Sequence, residues 1–133
     1  MRVAIAGGSG FVGQHLARRL LALGHEPRVL ARGRRPAGAI CPEGQVHEDG
    51  VEVGAGAALL RVDVNGEPAA LAAALRGCDA VVNLVGVKTE RGQSFAAAHI
   101  EAVERLIAGC VAAGVQRLVH VSVAGVRDDP RRP

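Results

Sequence analysis

The sequence predicts an α/β fold, a doubly wound parallel sheet with helices on both faces. Three observations predict it. Short apolar runs such as Val3–Ala6 and "DAVVNLVGV" (79–87) suit strands buried on both faces. Segments of helical apolar spacing alternate with those runs. The first run opens directly into "GGSGFVG" (7–13), a glycine cluster where a strand hands over to a helix.

Each element follows in chain order. Val3–Ala6 is the first strand. The helix over 11–23 carries apolar Phe11, Val12, Leu16, Leu20, Leu21 and Leu23, with Gln14, His15, Arg18 and Arg19 between them, and Gly24 stops it. "PRVLAR" (27–32) is a second strand, with proline at its first position, where a missing N–H is tolerated. The stretch 33–44 is turn-rich and basic. Within 45–54, valines alternate around Asp49-Gly50, a hairpin signal. Leu59–Val62 is the third strand of the parallel set. "EPAALAAALRG" (67–77) is a helix with proline in its first turn and glycine past its end. Residues 79–87 form the fourth strand, and 88–93 a loop. The long helix over 94–113 places Phe95, Ala98, Val103, Leu106, Ile107 and Val111 on one face. "VQRLVHVSVAGV" (115–126) is a fifth strand running into a loop, and 127–133 a polar tail. One domain over 1–126, with five parallel strands in the order 3-2-1-4-5, is the expected architecture.

Composition narrows the function classes. The 133 residues include two Phe, no Tyr and no Trp, so the aromatic platforms that hold single-stranded nucleic acid are missing. A formal net charge of +3, without lysine-rich runs, does not mark a nucleic-acid or membrane arm. No apolar run reaches the length of a membrane span, and the N-terminal run is too short for a signal peptide, so the expected location is cytoplasmic. Cys41, Cys78 and Cys110 are far apart and odd in number, which fits reduced thiols rather than a disulfide framework. The five histidines form no i, i+4 pair, and no metal site is expected.

The glycines carry the chemistry. Gly7, Gly10 and Gly13 are spaced G-x-x-G-x-x-G between strand and helix. Gly7 permits the sharp exit from the strand, Gly10 lets backbone N–H groups approach a pyrophosphate, and Gly13 lets the helix pack closely on the sheet. The helix N-terminus beyond them offers free N–H groups and a positive dipole end to an anion, and Ser9 is placed to donate to phosphate. No G-K-[ST] follows, which disfavours a mononucleotide P-loop. The implied ligand is a dinucleotide. At the end of the second strand, a carboxylate would select NAD(H) by binding the ribose hydroxyls. This chain has Arg32, Arg34 and Arg35 there, and guanidinium groups suit a 2′-phosphate, so NADP(H) is favoured, with NAD(H) possible. The alternative for Arg34 and Arg35 is a solvated loop.

With these residues in view, the chain resembles the short-chain dehydrogenase/reductase superfamily and its Rossmann domain, and more closely its atypical, epimerase/dehydratase-like members. "AGGSGFVGQHLARRLLALGHEPRVLAR" (6–32) is similar to the family's opening unit. "RVDV" (61–64) resembles its third strand, which implies that Asp63 and Val64 sit beside the adenine. "DAVVNLVGV" resembles its fourth strand, which implies that Val85 and Gly86 line the cofactor with Phe11 and Val12. The "F…H…A…L" pattern of 95–126 is similar to the branch related to an accessory subunit of respiratory complex I, some members of which are tied to quinone metabolism.

The resemblance also implies catalytic residues, and only one of them is present. Ser122 stands where the family's serine or threonine belongs. Its Tyr-x-x-x-Lys has no counterpart, because the sequence holds no tyrosine and its one lysine, Lys88, is elsewhere. The chain therefore reads as a cofactor-binding portion without complete catalytic machinery, or as a non-catalytic structural or regulatory dinucleotide binder. A lone Ser122 has no G-x-S-x-G elbow and does not suggest a hydrolase. Asp128-Asp129 reads as solvated. The apolar fifth strand is expected to leave an exposed edge that self-associates unless further sequence or a partner covers it.

Overall fold

The computed structural model describes residues 1–32, 46–47, 50–52, 57–87 and 94–122. Its strands are β1 (Arg2–Ala6), β2 (Glu26–Ala31), β3 (Val46–His47), β4 (Gly50–Glu52), β5 (Ala58–Arg61), β6 (Ala80–Asn83) and β7 (Leu118–His120). The helices are α1 (Phe11–Ala22), α2 (Pro68–Leu75) and α3 (Ala102–Ala113). One sheet runs β3-β4-β5-β2-β1-β6-β7. Its parallel part, β5-β2-β1-β6-β7, is the expected 3-2-1-4-5 order, and the short antiparallel β3–β4 pair extends the edge at β5. Gly50 was expected in the hairpin turn; it lies in β4, opposite His47.

Strand alternation divides the core. Val3 and Ile5 of β1, with Val29 and Ala31 of β2, pack against Ala17 and the half-buried Leu16, Leu20 and Leu21 of α1. Ala4, Ala6 and Leu30 face the other way, with Leu71 and Leu75 of α2 and Ala102, Leu106 and Cys110 of α3. The small Ala4 and Ala6 of β1 let α2 and α3 approach that second face. Gly109 serves the same end between helices: a Cβ there would meet Leu71 Cγ and Leu75 Cδ1 at 3.2 Å.

The long helix departs from expectation. Residues Ala97–Glu101 form a π turn ahead of α3. A π turn accommodates an extra residue, which displaces Phe95, ahead of it, from the position an unbroken helix would give it. The buried stripe is Ala98, Ala102, Leu106 and Cys110, whereas Phe95, Ile107 and Val111, expected on the packed face, are exposed. The fourth strand also ends sooner than its apolar run, at Asn83; the Leu84 N–H still donates to the Ala6 carbonyl of β1, and Leu84–Val87 then runs on outside the strand as a strip across the carboxyl edge. Of the fifth strand, Leu118–His120 pairs with β6, and 123–126 lie outside the described residues.

Candidate functional site

The site lies where the chain leaves β1 for α1 while β6 leads away on the other side, the point at which strand order reverses. Gly7 exits β1 at φ +74°, and a Cβ there would stand 2.9 Å from the Leu84 carbonyl. Only glycine satisfies both conditions. Gly8, which sequence reasoning gave no role, is equally confined: its Cβ would lie 2.9 Å from both the Ile5 carbonyl oxygen and Val29 Cγ1. Gly13 was assigned to packing on the sheet. Its nearest neighbour is instead the backbone of Gly8, with 2.6 Å to the carbonyl carbon, so α1 seats on the glycine turn itself. Gly10 differs from these three. It caps α1 at φ −75°, ψ 176°, and a Cβ would meet only the Gly7 carbonyl oxygen, at 3.2 Å.

This leaves the first turn of α1 available to an anion. No side chain caps it and no acidic residue lies in that turn. The Gln14 amide ties the loop down from the helix by donating to the Ser9 carbonyl at 2.9 Å. Unpaired N–H groups at a helix N-terminus, with no competing carboxylate, form a phosphate cradle.

Two recesses meet at this turn. A narrow cleft of about 230 Å³ is lined by Gly7, Ser9 and Gly10, the end of β2 through Arg32, the segment Val62–Asn65, the strip Leu84–Val87, and Ala102. A wider groove of about 1020 Å³ shares Gly7, Gly10 and Leu84–Val87 and adds Phe11, Val12, Gly13, His99, His120, Val121 and Ser122. Of the expected residues, Gly7, Ser9, Gly10, Arg32, Asp63, Val64, Val85 and Gly86 gather in the cleft, and Phe11, Val12, Gly13 and Ser122 in the groove. Arg34 and Arg35 lie outside the described residues.

Side-chain settings differ along the trough. Phe11 is 81% exposed on the first turn of α1, edge-on to His15. Asp63 is exposed, and its Oδ1 accepts the Asn65 N–H at 3.0 Å, which shapes the turn after β5. Asn65 was missed from sequence. Its Nδ2 donates to the Ala97 carbonyl at 2.9 Å, pinning the cleft floor to the π turn, while its buried Oδ1 has no partner among the described residues. His99 carries no role assigned from the sequence. It stacks on Phe95, and its Nε2 lies 3.2 Å from the Val87 carbonyl oxygen. Among the described residues no group of three or more His, Cys, Asp or Glu side chains could hold a metal, and no helix is long and apolar enough to cross a membrane.

A doubly wound parallel sheet with a glycine turn, an open helix N-terminus and a trough along its carboxyl edge defines a nucleotide-binding α/β domain. The NAD dependent epimerase/dehydratase family model matches residues 3–132, and the chain belongs to that family. It is 29% identical to a 2-alkyl-3-oxoalkanoate reductase of Stenotrophomonas maltophilia, over all of this chain and 36% of that protein. Among solved structures it is similar to a dTDP-glucose 4,6-dehydratase double mutant from Streptomyces venezuelae with NAD bound, at 26% identity and TM-score 0.74, over 92% of this chain and 39% of that one. The fold is also shared with an NAD-bound UDP-glucose-4-epimerase from Stenotrophomonas, at 24% identity and TM-score 0.73, over 98% of this chain and 40% of that one. The chain thus spans about two fifths of the length of these relatives.

Proposed function

We propose that the chain is the cofactor-binding portion of a short-chain dehydrogenase/reductase-type oxidoreductase or epimerase, and that it holds NADP(H) in preference to NAD(H). The observation that carries this reading is the open first turn of α1, set between two recesses by glycines that tolerate no side chain. The residues fit the group. The pyrophosphate would rest on the Gly10–Gly13 turn, the adenosine half would enter the narrow cleft beside Asp63 and Val64, and the nicotinamide half would lie along Leu84–Val87 toward Ser122. Bound nicotinamide supplies or accepts hydride. Ser122 would offer its hydroxyl to a substrate oxygen in the groove.

Arg32 supports the preference for NADP(H). It follows β2 directly and lines the cleft, where the end of β2 offers no carboxylate to the adenosine ribose. A guanidinium there would grip a 2′-phosphate and gains nothing from a free hydroxyl. Calorimetric titration of the purified chain with NADPH and NADH tests both parts. Binding of both with NADPH tighter is expected; equal affinities remove the preference, and no binding of either removes the function.

A further inference from the structure

Asn83 closes the carboxyl end of β6 with no solvent exposure, and both ends of its side-chain amide are engaged. Its Oδ1 accepts the Val85 N–H at 2.9 Å. A backbone N–H can only donate, so the amide oxygen must face it and the amide nitrogen must face β7. There Nδ2 lies 3.1 Å from Nδ1 of His120, the residue in register with Asn83 across the parallel pair. An amide nitrogen has only hydrogens to give, so Nδ1 of His120 is the acceptor. A neutral imidazole that accepts at Nδ1 carries its proton on Nε2. The buried amide therefore sets the tautomer of an exposed ring.

That ring lines the wide groove. Three polar side chains line it among the described residues: His99, His120 and Ser122. His99 is engaged with the Val87 backbone through its Nε2. Nothing among the described residues bonds Nε2 of His120. A donor of fixed tautomer, exposed in a groove whose walls, His99 and Ser122 apart, are backbone, glycine and apolar side chains, is matched by an acceptor arriving from solution.

We propose that His120 anchors the molecule sharing the wide groove with the nicotinamide end of the dinucleotide, donating from Nε2 to a carbonyl or carboxylate oxygen of that molecule. This rests on the dinucleotide reading above. It is a binding role beside the hydroxyl of Ser122, and it makes the preferred co-ligand an oxo compound or acid rather than a donor-rich one.

The test uses the whole chain labelled with ¹⁵N-histidine and loaded with NADP⁺, titrated with acetoacetate. This probe carries a ketone and a carboxylate, and with oxidised cofactor it cannot turn over. Long-range ¹H–¹⁵N correlation should show His120 protonated at Nε2. In Asn83→Asp the ring should become protonated at Nδ1, since a carboxylate accepts where the amide donated. Acetoacetate should shift the Nε2 resonance, and His120→Phe should weaken acetoacetate about tenfold, the value of one hydrogen bond to a charged acceptor, with NADP⁺ affinity unchanged. An Nδ1-protonated ring in the unmutated chain, acetoacetate binding that is absent or indifferent to His120→Phe, or a loss of NADP⁺ affinity in that variant would each overturn the proposal. Failure of the unmutated chain to bind any dinucleotide is a separate result, in which the underlying reading fails first.

Discussion

Gly10 and Gly13 lie three residues apart in one motif, yet their substitutions should fail in different assays. Gly10→Val places a side chain on a backbone at φ −75°, ψ 176°, which any L-residue adopts. The new Cβ has one close neighbour, the Gly7 carbonyl oxygen at 3.2 Å, which must give by a few tenths of an ångström. Adding the poorer helix cap, the cost to stability is about 1 kcal/mol. At about 2.1 cal/mol/K of unfolding entropy per residue, 133 residues lose about 3–4 °C in Tm for each kcal/mol. The valine methyls, however, stand at the junction of cleft and groove, where the pyrophosphate would lie. Displacing two charge-assisted hydrogen bonds forfeits about 3–6 kcal/mol, at least a hundredfold in affinity. Gly13→Ala reverses the balance. Its Cβ would lie 2.6 Å from the Gly8 carbonyl carbon, backbone against backbone. Overpacking of that severity costs about 3 kcal/mol, against which alanine's helix propensity returns about 1 kcal/mol. A net loss of about 7 °C follows. Thermal denaturation and calorimetric titration of both variants with NADPH decide the matter. Unchanged affinity in Gly10→Val, or an unchanged Tm in Gly13→Ala, would refute the assignment of one glycine to the ligand and the other to the fold.

Arg32→Ala should narrow the affinity gap between NADPH and NADH about tenfold, chiefly by weakening NADPH; an equal loss for both cofactors would show that Arg32 does not read the 2′-phosphate. Cys78 and Cys110 are buried, and desolvation raises both thiols above the ordinary value of 9.0. The unfolded chain then loses these protons before the folded one does, so stability should fall as pH rises above about 9, by up to about 1.4 kcal/mol per pH unit for each thiol, and iodoacetamide should modify them only on unfolding. Flat stability between pH 8 and 10, in comparison with Cys78→Ala/Cys110→Ala, would contradict this. At the sheet edge, Val119 and Val121 are 46% and 54% exposed on and just after β7. Val121→Lys should raise the monomer fraction of the isolated chain in sedimentation, whereas a clean monomer before substitution would remove any role for that edge.

The parallel order was legible because burial on both faces leaves a strong mark: an apolar run with no room for a solvent-facing phase. The glycine turn was legible because its spacing sits at a strand–helix junction. What stayed hidden depends on contacts across the fold. Gly8 is confined by the Ile5 carbonyl behind it and by Val29, a strand away. Asn65 matters through the Ala97 carbonyl, which its own turn does not announce. His120 has a defined tautomer only because a buried Asn83 lies in register beside it. The π turn hid for a different reason. Apolar spacing on either side of Ala97–Glu101 is helical, and an inserted residue changes only the phase between the halves, so Phe95 was read onto a face it does not share with the core; Ile107 and Val111 lie off that face because the buried stripe of α3 runs through Ala102, Leu106 and Cys110.

That turn changes the meaning of Gly86. From sequence, a glycine there suggests room for the cofactor. In the fold, the nearest obstacle to a Cβ is His99, whose Cε1 would lie at 3.2 Å and Nδ1 at 3.9 Å. The π turn carries His99, and Val87 holds its Nε2. A neighbouring ring therefore confines Gly86 in addition to its place on the cleft, and the strip Leu84–Val87 is fastened to the start of α3 by that packing. Gly86→Ala should push His99 off its stack with Phe95 and loosen the strip, destabilising the chain by about 1 kcal/mol. His99→Ala alone should cost a similar amount through the lost contacts. In Gly86→Ala/His99→Ala the methyl occupies space the ring has vacated, so the double variant should be more stable than the sum of the two losses, with a coupling of about 0.5–1 kcal/mol. Urea denaturation of the four proteins completes the cycle. Strict additivity would mean that His99 does not confine Gly86, and the cofactor would then be the better reason for a glycine at that position.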